Sequence, residues 1–235
     1  MQKESISGAE GAEVKIVWFG HATFFAELDN KIRILFDPYD RSAYGSSFRY
    51  SGNFPKSDIV LISHKHNDHS FSKFKEKFGY QPVIIDTEGE HEILGVKIKG
   101  RRFFHDKSRG KERGEVIAFS VGTGKGSIIH FGDIGEDIDQ GRVKDMADPY
   151  IAMVPVGGKY TLDGEEAASL MNFLSPRFVF PMHYKTDLVD FPIDNADNFI
   201  SRMNNYKIKR VDSFSDDEEI AENTLFIFNL SNGLF

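Results

Sequence analysis

The chain has 235 residues, of which 40% are hydrophobic, 13% aromatic and 28% charged, the composition of a globular protein and not of a disordered or collagenous one. Its 29 basic and 36 acidic residues leave a formal net charge of −7, which argues against a general nucleic-acid binder, because phosphate binding rests on clustered Lys and Arg. The absence of cysteine excludes disulfides, thiolate zinc sites, iron–sulfur clusters and cysteine nucleophiles, so any metal must be held by carboxylates and the eight histidines.

Residues 1–13 are polar and rich in Gly, Ala and Glu without periodicity, and read as a flexible end, a tag remnant or a remnant of processing. The fold is expected to begin at Val14. Short β-rich runs follow at Val14–Phe19, Phe24–Leu28 and Ile32–Phe36, the last two joined by a tight turn at Asp29-Asn30-Lys31. Ile59–Ile62 is a short apolar strand that runs straight into a polar, His-rich loop. Phe71, Phe74 and Phe78 recur at helical spacing, so a short amphipathic helix with a core-facing stripe is expected over Phe71–Phe78. Strands are expected at Pro82–Ile85, Glu92–Leu94, Val96–Phe104, Val116–Val121 and Ser127–Phe131, with Gly122–Gly126 as the hairpin between the last two. A short helix near Ile138–Met146, a strand at Tyr150–Val154 and a helix at Asp163–Leu174 with a Glu-rich first turn come next. Pro176 ends that helix; a strand at Phe178–Pro181, a helix at Asn195–Tyr206 and strands at Lys207–Val211 and Thr224–Asn229 complete the order.

No linker or shift of composition interrupts the run, so one domain over residues 14–235 is expected. No window approaches the ~18 apolar residues of a membrane span, and the N-terminus has no apolar core of the signal-peptide kind, so a soluble, cytoplasmic protein is expected. The pattern alone leaves two packed sheets with outer helices and a mixed α+β fold both open.

The informative stretch is Ser63-His64-Lys65-His66-Asn67-Asp68-His69-Ser70. Imidazole and carboxylate are the ligands that suit zinc, manganese, iron or nickel, and the alternation of His64 and His66 puts both rings on one side of an extended backbone. Packing so many ionisable groups at a strand end is costly unless a ligand neutralises them. The alternative is an exposed polar loop that happens to be rich in histidine.

His-x-His-x-Asp-His directly after a strand resembles the signature of the metallo-β-lactamase superfamily. The likeness extends to His105 after Val96–Phe104, to Asp133 in Phe131-Gly132-Asp133-Ile134-Gly135, and to His183 in Pro181-Met182-His183-Tyr184. Trp18-Phe19-Gly20-His21-Ala22-Thr23, Phe36-Asp37-Pro38, Pro155-Val156-Gly157-Gly158 and Thr161 ahead of Glu165-Glu166-Ala167 resemble the branch that contains ascorbate-phosphate lactonase-like and other metal-dependent hydrolases. The resemblance implies an α+β fold, a four-layer αββα sandwich. It also implies two divalent metal ions, zinc first, with manganese, iron or nickel as alternatives. His64, His66 and His105 would hold one metal and Asp68, His69 and His183 the other, with Asp133 bridging. A hydroxide held between the metals would attack a small ester, lactone or phosphoester. Asp68, Asp133 and His21 are then the candidate catalytic residues.

Of the remaining histidines, His21 is a candidate for the site and His91 and His130 read as structural or solvated. Asp37 either hydrogen-bonds the metal loop or serves the turn before Pro38. Arg101, Arg102, Lys107, Arg109, Lys111 and Arg113 form a basic cluster around His105, read first as solvated loop charge and second as recognition of a phosphate or carboxylate. Lys159, Tyr160, Tyr184 and Lys185 are rim candidates on position alone. The lack of cysteine departs from those β-lactamases whose second site uses a thiolate. The length leaves no room for the added domains of superfamily nucleases, glyoxalase II-like enzymes or flavin-bearing redox relatives. The expected partner is therefore a small-molecule substrate and not nucleic acid or membrane, with a homo-oligomer possible. The rivals are a phosphodiesterase or nuclease on the same metal centre, and a di-iron redox or non-catalytic metal-binding protein.

Overall fold

The computed structural model describes residues 14–144, 146, 149–216, 220 and 223–230; the expected flexible end at 1–13 lies outside them. Two sheets carry the fold. The first contains β1 (Lys15–Gly20), β2 (Thr23–Glu27), β3 (Arg33–Phe36), β4 (Ile59–Leu61), β5 (Val83–Ile85) and β13 (Phe214–Ser215), in the order β13-β1-β2-β3-β4-β5. The second contains β6 (Gly89–Ile93), β7 (Val96–Phe104), β8 (Glu115–Thr123), β9 (Gly126–His130), β10 (Pro149–Pro155), β11 (Phe178–Met182), β12 (Lys207–Val211) and β14 (Thr224–Phe228). Its order is β12-β14-β11-β10-β9-β8-β7-β6.

Strand alternation sorts the side chains of the first sheet onto its two faces. Trp18, Phe24, Phe36 and Leu61 point into the large core shared with the second sheet, where they join Phe119, Ile129 and Phe180. Phe19, Phe25, Leu35 and Val60 point the other way, into a smaller cluster closed by Tyr39, Phe48, Tyr50, Phe54, Phe71 and Phe74. The sandwich implied by the resemblance is therefore present, but its outer layer over the first sheet is mostly irregular chain. The helix expected over Phe71–Phe78 shrinks to α1 (Phe74–Phe78), whose N-cap Lys73 offers no side-chain cap and whose C-cap Gly79 turns left-handed at φ 74°. A 3-10 helix at Arg41–Ser47, kinked at Gly45 and announced by no periodicity, precedes β4.

The second outer layer is helical. α3 (Gly164–Leu174) begins on a capping box: Asp163 accepts from the N–H groups of Glu165 and Glu166, and Glu166 accepts from the Asp163 N–H. It buries Ala167, Leu170 and Met171 in the large core, alongside Phe199 of α4 (Asp197–Ile200). The helices expected at Asn195–Tyr206 and Ile138–Met146 shorten to α4 and to α2 (Gln140–Lys144). The strand expected at Glu92–Leu94 lengthens to β6, pairing with β7 from Gly89↔Gly100 to Ile93↔Val96.

Strand directions explain where the site must lie. β1, β3 and β4 run the same way in the first sheet, because β2 is antiparallel to both its neighbours and β4 is parallel to β3. β7, β9 and β11 likewise share one direction in the second sheet. The residues that follow these six strands gather at one edge of the sandwich.

Away from that edge, Arg33 clamps the start of β3 to the start of β4, donating Nε to Asp58 Oδ2 at 3.1 Å and Nη2 to Oδ1 at 3.0 Å. The guanidinium holds the Asp58 carboxyl below its ordinary value. The pair's stabilisation is thus complete above the ordinary carboxyl pKa and is lost as pH falls through the folded-state value. Solvent screens this pair, so Asp58→Asn is expected to cost about 1 kcal/mol near neutral pH. Urea titrations of both proteins should show the difference closing as pH falls below the ordinary carboxyl range.

Candidate metal centre

Each expected ligand sits just past a strand. His64, His66, Asp68 and His69 follow β4, His105 follows β7, Asp133 follows β9 and His183 follows β11. Three of the turns into the site place ordinary residues in the left-handed region: His21 at φ 53°, Asp37 at φ 42° and His183 at φ 52°. Such backbone is costly and persists where surrounding contacts hold it. The carbonyl of His21 supplies such contacts, accepting both the Trp18 indole N–H and the His183 N–H at 3.0 Å. Gly132 makes the turn before Asp133 at φ +55°, and a Cβ there would lie 2.6 Å from Ser63 Cβ and 2.7 Å from Val116 Cγ2, so only glycine lets β9 deliver Asp133 against the β4 loop.

Asp133 is the hub. Its Oδ2 lies 3.2 Å from His69 Nε2, 3.2 Å from His183 Nε2, 3.3 Å from His105 Nε2 and 3.9 Å from His64 Nε2. His64, His66 and His105 offer three nitrogen atoms within 4.8 Å of one another, and Asp68, His69 and His183 form a second such group, which His21 joins. The structure thus brings all seven expected ligands to one place, and a further group, Asp37, His64 and His69, links the two. Among the described residues, His21 Nδ1, His69 Nε2, His105 Nδ1, His183 Nδ1 and Asp133 Oδ1 are buried with no hydrogen-bond partner. A protein rarely leaves so many buried polar atoms unsatisfied in one place. The donor set, imidazole and carboxylate only, fits divalent zinc, manganese, iron or nickel.

The electrostatics fit the same conclusion. Burial opposes charge on His69, but the carboxylates of Asp133 and Asp68 outweigh it and hold the imidazole well above its ordinary pKa. Burial likewise opposes charge on Asp133, and His183 and His69 override it, holding the carboxyl well below its usual range. Burial, reinforced by His183, pushes His21 down to about 4. The cluster is built around compensating charge.

Asp37 proves to serve the metal loop. It accepts the Ser63 N–H at 2.7 Å and the Ser63 hydroxyl at 2.6 Å, and its Oδ2 lies 2.9 Å from His69 Nδ1. Ser63 Oγ in turn lies 2.9 Å from His64 Nδ1. Since the hydroxyl proton goes to Asp37, Ser63 Oγ accepts from His64 Nδ1–H. One carboxylate therefore places a proton on Nδ1 of two imidazoles and leaves both Nε2 atoms facing Asp133. His130, read as structural, is so: Nε2 binds the Ala22 carbonyl at 2.8 Å and Nδ1 accepts from the Gly132 N–H at 3.2 Å. Among the described residues, His91 has one hydrogen-bond partner, the Thr87 carbonyl at 3.2 Å.

The cleft over the cluster has a volume of about 250 Å³ and is lined by Tyr44, His66, Asp68, His105, Arg113, Asp133, Tyr160, His183 and Phe191. His21, expected to be catalytic, is fully buried and does not line it; its Nε2 lies 3.1 Å from Asp68 Oδ2, behind the ligand. Of the four rim candidates only Tyr160 reaches the cleft. Tyr184 stacks on Trp18 at 5.3 Å in the core, Lys185 donates to the Phe191 carbonyl, and Lys159 is exposed. Of the basic cluster only Arg113 lines the cleft, while Arg102 pairs with Glu88 and Glu115, and Lys107 with Glu166. Tyr44 and Phe191 were not anticipated. Tyr44 donates to Asp68 Oδ1 at 2.9 Å from the 3-10 helix, and nothing beyond an aromatic residue in a polar loop marked either residue.

A family model described as a β-lactamase superfamily domain matches residues 15–183. A UPF0173 metal-dependent hydrolase of Thermoplasma volcanium is 31% identical over 195 residues, covering 74% of this chain and 85% of the relative. A Thermotoga maritima structure described as that of a zinc-dependent hydrolase of the metallo-β-lactamase superfamily superposes with a TM-score of 0.71 at 28% identity, covering 92% of this chain and 98% of that one. A di-iron β-hydroxylase of Streptomyces venezuelae, 15% identical, covers 82% of this chain and 49% of that one with a TM-score of 0.53, a likeness of fold alone. With the strand-end ligands, the sandwich and a model match over most of its length in agreement, the chain belongs to the metallo-β-lactamase superfamily.

Proposed function

We propose that the protein is a binuclear metal-dependent hydrolase of small esters, lactones or phosphoesters. One observation carries this reading: a single carboxylate oxygen, Asp133 Oδ2, faces imidazoles of both three-residue groups, as a ligand shared by two cations would. His64, His66 and His105 would hold one ion and Asp68, His69 and His183 the other, zinc being the first choice on the donor set. Bound divalent cations supply Lewis-acid polarisation of the scissile carbonyl or phosphoryl oxygen and lower the pKa of water. The chain's own residues do the positioning. His21 orients Asp68 from behind, Tyr44 holds its other oxygen, and Asp37 fixes the His64 and His69 tautomers. Relatives named metal-dependent hydrolases support the reaction class, and a cleft of about 250 Å³ suits a small molecule.

The test is metal analysis of the purified protein together with a panel of chromogenic esters, lactones and a phosphodiester. About two divalent ions per chain and activity on the esters or lactones are expected. At about 1,000-fold excess over Kd, ligand binding stabilises by roughly 4 kcal/mol, so chelation should lower Tm by about 10 °C and abolish turnover, with recovery on adding metal back. Full activity after chelation, or one ion or none per chain, overturns the binuclear reading. Turnover of the phosphodiester alone would transfer it to the phosphodiesterase rival.

A further inference from the structure

We propose that Arg113, seated on Tyr160, is a specificity residue that binds a carboxylate or phosphate group carried by the substrate; this deepens the hydrolase reading and rests on it. The loop that carries Arg113 is tied down unusually well. Asp106, next to His105, accepts from the N–H groups of Ser108 and Gly110 with Oδ1, at 2.8 and 2.9 Å. It accepts from Glu112 and Arg113 with Oδ2, at 3.1 and 2.8 Å. A second tie runs from the His105 N–H to the Gly114 carbonyl at 3.0 Å. The backbone of Arg113 is thus fixed relative to a metal-ligand position by hydrogen bonds that do not involve its side chain.

The guanidinium itself is held by stacking alone. Its central carbon lies 4.2 Å from the centre of the Tyr160 ring, which stands on the turn after β10 and lines the same cleft. Arg102 pairs with Glu88 and Glu115, Lys107 with Glu166 and Arg142 with Glu136, whereas Arg109 and Lys111 of the same loop are exposed and do not line the cleft. Among the described residues Arg113 forms no ion pair, in a chain whose net charge is −7. This contact uses the ring face and none of the guanidinium N–H donors, so they remain available to an oxyanion on two parallel hydrogen bonds. Tyr160 supplies the platform and Asp106 is a positioning residue for the loop.

Three p-nitrophenyl esters of equal chain length test this on the metal-loaded protein: the butanoate, the 3-carboxypropanoate and the 3-phosphonopropanoate. For Arg113→Gln, the ratio of kcat/KM on a charged ester to that on the butanoate is expected to fall about 10- to 100-fold, mainly through KM. Tyr160→Leu should lower the same ratio about threefold. Asp106→Asn should lower it too, and because the ratio cancels any loss of metal common to all three esters, a merely structural defect would not move it. Which charged ester shows the larger fall separates carboxylate from phosphate recognition. If Arg113→Gln leaves the ratio unchanged, or lowers all three esters equally, the proposal is overturned.

If no ester is turned over, the hydrolase reading fails first, and the subsite is read by calorimetric titration of the metal-loaded protein with succinate and methylphosphonate. Weaker binding of either anion by Arg113→Gln by a similar factor supports the subsite. Equal binding by both proteins, or no binding to either, overturns it.

Discussion

Asp133→Asn is expected to bring metal content from about two ions per chain to below one and to lower kcat/KM by at least about 1,000-fold, roughly 4 kcal/mol of transition-state stabilisation. The change keeps the side chain's volume but removes the negative charge that four imidazoles face between 3.2 and 3.9 Å. An amide also puts an N–H donor where a shared cation ligand must be an acceptor. Because Asp133 serves both three-residue groups, the loss should extend to both ions and not to one. The metal-free variant should also be less stable than the metal-free parent by about 3 kcal/mol, since a buried partner of several imidazoles is gone. His91→Ala is the control: among the described residues its ring hydrogen-bonds the Thr87 carbonyl and none of the candidate ligands, and metal content should not change. Full occupancy by both ions in Asp133→Asn would show that the two groups do not share this carboxylate.

The legibility of this centre in the sequence follows the distance over which each contact is made. His64, His66, Asp68 and His69 lie within six positions after one apolar strand, so chemistry and spacing are readable together. His105, Asp133 and His183 each follow a strand, but nothing local says that β7, β9 and β11 run in one direction. The family resemblance supplied that, and the sheet order shows it. Asp37 was visible as a strand-end carboxylate but its role was not, because its partners His69 and Ser63 lie 32 and 26 positions away. Tyr44 is 24 positions from Asp68, on a 3-10 helix with no periodic signal, and Phe191 reaches the cleft from a loop. The basic cluster, read first as solvated loop charge, is mostly that, because charges near in sequence need not converge in space. Alternation along β7 and pairing with nearby carboxylates disperse most of it, and only Arg113 lines the cleft. Helix lengths were overread for a physical reason as well. The Phe stripe over 71–78 packs on the first sheet through Phe71 and Phe74 whether or not the backbone between them is helical, so burial alone produces the spacing.

The Asp37→Asn variant should lose metal affinity by about 10- to 100-fold while keeping the fold, and Asp37→Ala should lose more and also be destabilised by about 3 kcal/mol. The reason lies in donor and acceptor bookkeeping. Asp37 accepts at once from the Ser63 backbone, the Ser63 hydroxyl and His69 Nδ1, within 2.6–2.9 Å. The Ser63 hydroxyl and His69 Nδ1 share Oδ2, while the Ser63 N–H uses Oδ1, so an amide must turn its N–H₂ either to the first two together or to the backbone N–H. If the N–H₂ takes the Oδ2 place, Ser63 Oγ turns its proton toward His64 Nδ1, and both His64 and His69 lose the proton on Nδ1 and present one on Nε2 toward Asp133. If it takes the Oδ1 place, both Nδ1 protons stay, but two donors oppose each other at Ser63 and the loop that carries the ligands is pushed away. The two outcomes are distinguishable by nitrogen-15 shifts of the two rings, because only in the first do the Nδ1 atoms lose their protons. Retention of Nδ1 protonation on both rings with undiminished metal affinity would mean that the carboxylate serves only the turn before Pro38. The loss in Asp37→Asn should fall on both ions, since His64 belongs to one three-residue group and His69 to the other. A buried carboxylate that touches no cleft-lining atom thereby sets the ligand state of both halves of the centre.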